Sequence, residues 1–221
     1  MGCVHLYCGD GKGKTTAAIG LVIRAAGTGK QVVVARFLKT DQSGEVEILK
    51  RLPEVTLIPC EKTFGFTWNM TDEVKREAAA YYKSVFEAAC REAVRQCKEA
   101  GNAKKAKMQN KENTPEILEE ESTSDGKLKQ TGANASKEKI VCENCDVLLI
   151  LDEVCASLSS GLLNLEDILE FLDHRPFNLE VLMTGRKPPE ELLLRADYVT
   201  EMRKIRHPFD AKILARRGIE Y

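Results

Sequence analysis

The feature that most constrains this chain lies at its start. There the apolar run Cys3-Val4-His5-Leu6-Tyr7-Cys8 opens directly onto Gly9-Asp10-Gly11-Lys12-Gly13-Lys14-Thr15-Thr16. A short buried strand, a glycine-rich turn and a helix opening at Lys14 make a phosphate-binding loop. The glycines let backbone N–H groups curl around an anion with no Cβ in the way. The helix N-terminus adds partial positive charge, Lys14 neutralises phosphate oxygens, and the Thr15 hydroxyl is a ligand for Mg2+ (or Mn2+). The pattern implies a bound nucleoside triphosphate. Its spacing is offset, because the glycine expected five residues before Gly13-Lys14-Thr15 is replaced by Cys8, and Gly9 stands one residue late. A chance glycine cluster in a turn is the competing reading, but strand, loop and helix stand where the mechanism needs them.

Downstream, apolar strands alternate with helical patterns. Lys14 to Ala26 reads as a helix with a stripe of Ala17, Ile19, Leu21, Val22 and Ala25, stopped at Gly27-Thr28-Gly29. Gln31 to Phe37 reads as a buried β-branched strand, Glu45 to Arg51 as a short helix and Val55 to Ile58 as a strand. Thr71 caps a long helix over Asp72 to Glu99. Val147 to Leu151 is a third continuous apolar strand. Leu165 to Asp173 (helix), Leu179 to Met183 (strand), Pro188 to Arg195 (helix) and Tyr198 to Met202 (strand) complete the series. Such alternation predicts an α/β fold: a phosphate-loop NTPase-like (RecA-like), mostly parallel sheet with helices on both faces. Ligands of such sheets sit at the carboxyl ends of the strands. The glycine loop, Arg36-Phe37, Asp152-Glu153 and Thr184-Gly185-Arg186 all fall there.

Composition agrees with one ordinary domain. The 221 residues are 43% hydrophobic and 30% charged, enough for a core and a charged surface. A net charge of −1 argues against a nucleic-acid binder, which would carry a basic excess. No apolar run approaches the roughly 18 residues that span a bilayer, and the first residues lack a secretory signal. No membrane partner and a cytoplasmic location are therefore expected. The eight cysteines are scattered and read as reduced thiols. The domain is expected over residues 1–221, interrupted by a charged insertion at about 101–139. That stretch is too poor in large apolar residues to offset its ordering entropy, so it is expected to be largely disordered.

Several residues are candidates for chemistry. Asp152 and Glu153 follow a buried strand, where one carboxylate would hold Mg2+; the sequence does not say which. Arg186 can clamp phosphate oxygens in bidentate fashion. Arg36, Lys39 and Lys12 are weaker candidates than Lys14. Phe64-Gly65-Phe66-Thr67-Trp68 gathers three aromatics in a loop, read equally as core packing or as a face for a large planar ligand. Cys142-Glu143-Asn144-Cys145 has the spacing of half a zinc site but lacks a second pair, so a metal site there is disfavoured. His5, His174 and His207 are isolated and read as structural.

With those elements placed, the chain resembles the phosphate-loop type of ATP:corrinoid adenosyltransferase. The resemblance runs through Gly9 to Thr16, Arg36-Phe37-Leu38-Lys39, Gly65-Phe66-Thr67-Trp68, Leu151-Asp152-Glu153 and Thr184-Gly185-Arg186. It continues over Ala196-Asp197, His207 to Ala211 and Gly218 to Tyr221, nearly the whole chain outside the insertion. The offset loop is itself similar to this family's variant. The resemblance implies transfer of the 5′-deoxyadenosyl group of ATP to the Co(I) centre of a corrinoid, with release of triphosphate. Lys14 and Thr15 would be catalytic. Gly9, Asp10, Gly11, Lys12, Gly13, Lys14, Thr15, Thr16, Arg36, Lys39 and Arg186 would contact nucleotide. Phe66 and Trp68 would lie against the corrinoid and displace its axial ligand, and Thr15, Asp152 and Glu153 would serve the metal. A reduced flavoprotein donor and a homodimer are further implications.

Three features depart from the family pattern. The sequence begins at the first strand, without the N-terminal extension some members use to cover the site; the insertion has no counterpart; and Cys8 replaces a small hydroxyl residue. The first two are expected to alter corrinoid affinity or assembly. Alternatives from other classes are a phosphate-loop ATPase or small-molecule kinase, which leaves Phe64 to Trp68 unexplained, and a non-enzymatic corrinoid binder. A GTP switch is weaker still, since Asn110 to Asn113 lacks the aspartate of a guanine-reading motif.

Overall fold

The computed structural model describes residues 1–39, 43–65, 69–112 and 146–219. Six strands form one parallel sheet: β1 Val4–Cys8, β2 Gln31–Arg36, β3 Val55–Leu57, β4 Val147–Asp152, β5 Leu179–Thr184 and β6 Tyr198–Glu201. Their order is β3-β2-β4-β5-β1-β6, and every pairing is parallel. Between them run α1 Lys14–Ala26, α2 Gly44–Leu49, α3 Asp72–Glu112, α4 Val154–Ser159, α5 Leu165–His174 and α6 Glu190–Arg195. The α/β architecture expected from the alternation is the one observed.

The central strand β4 is buried at all six positions, which is why its sequence is a continuous apolar run with no alternation. Its side chains still divide by parity. Leu148 and Ile150 join Ala18, Val22 and Ala25 of α1 and Leu49 of α2 on one face. Leu149 and Leu151 join Tyr82, Val85, Phe86 and Ala89 of α3, with Ile168 and Leu172 of α5, on the other. A parallel sheet needs this double cover, because each crossover returns a helix across a face.

Local signals end the elements close to where the sequence predicts. The Thr71 hydroxyl accepts from Val74 N–H at 3.4 Å, and helix α1 stops where Thr28 Oγ1 donates back to the Ala25 carbonyl at 2.8 Å. Three differences stand out. The buried face of α1 is Lys14, Ala18, Val22, Ala25 and Ala26, so its centre lies one residue from the expected stripe, with Ile19 and Leu21 only flanking it. Helix α3 continues past Glu99 to Glu112, so the first part of the stretch read as an insertion is helical. Helix α4 is absent from the expectation. It is a single short turn-and-a-half whose Val154, Cys155 and Ser157 bury against the sheet, too brief for a periodic signal.

Edge strand β6 is exposed at all four positions, although Tyr198 stacks on His5 with ring centroids 4.6 Å apart. Among the described residues, no helix is long and apolar enough to cross a membrane.

Candidate active site

Backbone conformation picks out the carboxyl edge of the sheet before any side chain is considered. Gly9 and Gly13 have φ of 101° and 111° after β1, Leu38 has φ 58° after β2, and Glu153 has φ 62° after β4. Gly185 and Lys187, at 146° and 48°, follow β5. Left-handed non-glycine residues cost free energy and persist where the surroundings enforce them, commonly at functional sites.

The loop from Gly9 to Gly13 is held from behind by the segment that leaves β6. Met202 N–H donates to the Cys8 carbonyl at 2.8 Å, and Gly11 N–H donates to the Met202 carbonyl at 2.7 Å. Lys204 N–H donates to Asp10 Oδ1 at 2.9 Å, which holds the Asp10 carboxyl below its ordinary range. Asp10 thus fastens the loop to residue 204. This backing segment was not legible in the sequence, because Met202 to Lys204 carry no glycine, motif or periodicity.

Lys14 turns into the loop. Only 7% exposed, its ammonium donates to the carbonyls of Gly9 at 2.9 Å and Gly11 at 2.8 Å. Burial pushes its pKa down; the Glu153 carboxylate is the strongest opposing influence, and Arg186 adds to the depression. Lys12, Thr16 and Arg186 are exposed around the loop.

The next layer centres on Asp152, the last residue of β4, which is 1% exposed. Its Oδ1 accepts from Thr184 Oγ1 at 2.7 Å and from Thr15 Oγ1 at 3.0 Å. Lys39 Nζ donates to Asp152 Oδ2 at 2.7 Å and to Thr15 Oγ1 at 2.7 Å. Thr184 Oγ1 also accepts from Glu153 N–H at 2.9 Å, which anchors the left-handed residue at the head of α4. Thr184 therefore connects β4, β5 and α4, a role its place in Thr184-Gly185-Arg186 did not disclose.

The pair Thr15 Oγ1 and Asp152 is a hard-oxygen donor set, and a cation, the Lys39 ammonium, already stands between its two members. Among the described residues no cluster of three or more His, Cys, Asp or Glu could cage an ion unaided. A hydroxyl and a carboxylate of this kind suit a hard cation such as Mg2+, which takes one or two protein oxygens and completes its shell with phosphate and water.

Arg36 is fully buried, with Nη1 donating to Ser43 Oγ at 3.0 Å, so its guanidinium lies inside the wall of the site. Phe64 belongs to an aromatic bank on the β2 side: its ring lies 5.7 Å from Tyr81 and 5.9 Å from Tyr82, and Tyr82 is 6.2 Å from Phe37. The Tyr81 hydroxyl accepts from Glu61 N–H at 2.9 Å, fixing the approach to Phe64. Phe66, Trp68, Cys142 and Cys145 lie outside the described residues. Burial raises the pKa of the Cys8 thiol and pushes that of Cys155 up to about 12.

Comparison with known proteins now adds a chemical identity to this geometry. The family model described as ATP:corrinoid adenosyltransferase BtuR/CobO/CobP matches residues 1–221. A corrinoid adenosyltransferase of Escherichia coli (strain K12) is 30% identical over 221 residues, covering 100% of this chain and 86% of the relative. The Salmonella typhimurium protein of that description is 29% identical with the same coverage. That of Pseudomonas aeruginosa is 28% identical, covering 100% of this chain and 84% of its own length.

Proposed function

The chain belongs to the ATP:corrinoid adenosyltransferase family, and from that membership we propose how its residues carry the reaction. The enzyme transfers the 5′-deoxyadenosyl group of ATP to the cobalt of a corrinoid. The electron pair of Co(I) attacks C5′, the cobalt–carbon bond forms as the C5′–O5′ bond breaks, and triphosphate leaves with the bonding pair. The substrate cobalt is the nucleophile, so the protein has to align cobalt with C5′ and stabilise charge on the departing phosphates.

One observation carries this reading. The cradle offers loop amides, the Lys14 ammonium and the Thr15–Asp152 oxygens. That is a site for polyphosphate, and the attacking cobalt comes with the corrinoid substrate. Thr15 and Asp152 would hold Mg2+, whose chemistry there is neutralisation of phosphate charge. Glu153 and Arg186 border the same loop, and Arg186 would clamp phosphate oxygens. Gly9, Gly11 and Gly13 admit the phosphates, and Asp10 keeps the loop in shape. Lys12 and Thr16 flank it.

Phe66 and Trp68 would face the corrinoid, displacing its axial ligand so that Co(II) is reduced more readily. Phe64, fixed on Tyr81 and Tyr82 beside the end of β2, supports this by anchoring the chain two residues earlier. A reduced flavoprotein would deliver the electron, the active form would be a homodimer, and the setting would be cytoplasmic. Release of ADP and phosphate would instead mark a kinase or ATPase.

The deciding experiment is an anaerobic assay of chemically reduced cobalamin with MgATP, followed by the visible spectrum. Light-sensitive adenosylcobalamin, formed with equimolar triphosphate, is the expected result. ADP and phosphate without a corrinoid product would overturn it.

A further inference from the structure

The Lys39 ammonium occupies the position in which the proposed metal would sit. It lies 2.7 Å from Thr15 Oγ1 and 2.7 Å from Asp152 Oδ2, while Thr15 and Asp152 bond each other at 3.0 Å. The two oxygens face one small space, and a divalent ion ligated by both would stand about 2 Å from each. Ammonium and ion cannot share that space, because like charges so close in a buried setting repel strongly.

We propose that Lys39 is the internal cation of this pocket: it neutralises Asp152 while no nucleotide is bound, excludes free divalent metal, and leaves only when a triphosphate arrives with the ion. The proposal rests on the reading of Thr15 and Asp152 as metal ligands given above.

Three observations support it. First, Asp152 is almost wholly buried, so its carboxylate needs a counter-charge at all times. Thr15 and Thr184 supply hydrogen bonds, and Lys39 is the cation bonded to it. Second, the Lys39 side chain keeps 29% of its surface exposed against 2% for Asp152, so the ammonium has a way out that the carboxylate lacks. Third, Leu38 holds a left-handed φ of 58° immediately before Lys39, a conformation that costs free energy in a branched residue. From that turn Lys39 reaches the first turn of α1 and the end of β4.

The consequence is coupling. Metal alone would have to evict Lys39 into water, whereas metal with ATP brings phosphate oxygens that give the ammonium a new partner. Each ligand then favours the other through one displaced side chain. Lys39 is a positioning residue before binding and a phosphate partner after it.

The test titrates Mn2+ alone, without nucleotide, into the native protein, Lys39→Met and Asp152→Asn, reading free Mn2+ by its electron paramagnetic resonance signal. The native protein is expected to show no saturable site that depends on Asp152. Lys39→Met is expected to bind Mn2+ at least about tenfold more tightly than native, as loss of a competing charge in the pocket requires. Lys39→Arg retains a cation and is expected to exclude the ion as native does. A saturable Mn2+ site in the native protein that Asp152→Asn removes would overturn the proposal, without recourse to any variant at position 39. Equal Mn2+ affinity in native and Lys39→Met would overturn it too. MgATP binding unchanged in Asp152→Asn, measured by calorimetry, would instead overturn the ligand assignment beneath it.

Discussion

A methyl group placed on Gly9 would overlap the carbonyl oxygen of Met202, and one on Gly11 would lie 2.7 Å from that same oxygen. Gly13 meets no such obstacle; its φ of 111° is the constraint. The glycines are thus required for two different reasons, and the sequence motif presents them as equivalent. Gly9→Ala should unseat the loop from Met202 and weaken ATP binding at least about tenfold, since backbone cannot yield as a side chain can; calorimetric titration with MgATP measures it. Lys14→Ala removes the one buried ammonium inside the loop. Turnover should fall by about 100-fold or more, the usual cost of losing a preorganised charge contact at a reacting centre. A third prediction concerns pH. Burial raises the pKa of the Cys8 thiol and pushes that of Cys155 up to about 12, which lowers the reactivity of both. Mass spectrometry after iodoacetamide treatment of native protein should find both unmodified, and alkylation should rise only at much higher pH or on unfolding.

The elements that matter most to the site are the ends of β4 and β5 with the short helix α4 between them. Thr184 of β5 donates to Asp152 of β4 and accepts from the N–H of Glu153 that opens α4. Thr184→Val keeps the shape and removes both bonds, leaving buried groups short of partners. Stability should drop by about 1–3 kcal/mol, read as a lower urea midpoint. Gly185 is the complementary case: a Cβ there would stand 2.6 Å from the Cβ of Cys155 and 3.1 Å from α4 backbone nitrogens. Helix α4 can approach the sheet so closely because that position is bare. Periodicity could not reveal α4, because six residues give too few turns for a pattern. The longer α1 and α5 were legible because 13 and 10 residues give apolar spacing enough turns to show.

At the scale of the whole molecule, both faces of one sheet depend on β4. Leu149 is fully buried against α3 and α5 on one face, while Leu148 and Ile150 meet α1 on the other. Leu149→Ala should cost about 2–5 kcal/mol, seen in thermal or denaturant unfolding, because the packed layers cannot collapse into the void. The same connectivity carries ligand binding to global stability. MgATP at a hundred times its dissociation constant should stabilise the native enzyme by about 2.7 kcal/mol. The matching rise in melting temperature should be lost in Lys14→Ala.

The sequence by itself determined the class of fold and the chemical identity of the loop. Both are local: a strand, a glycine turn and a helix N-terminus are written in consecutive residues, and unbroken apolar runs such as Val147 to Leu151 report a sheet covered on both sides. Tertiary structure decided which groups meet. Lys39, Thr15, Asp152 and Thr184 come from a loop, a helix and two strands yet form one hydrogen-bonded cluster, and Met202 to Lys204 reach the phosphate-binding loop from the far end of the chain. Those contacts depend on strand order, which places β4 beside β2 and β5, and β6 beside β1. A parallel sheet gathers the ends of distant strands into one small volume, and no local pattern encodes a neighbour that only the crossovers supply.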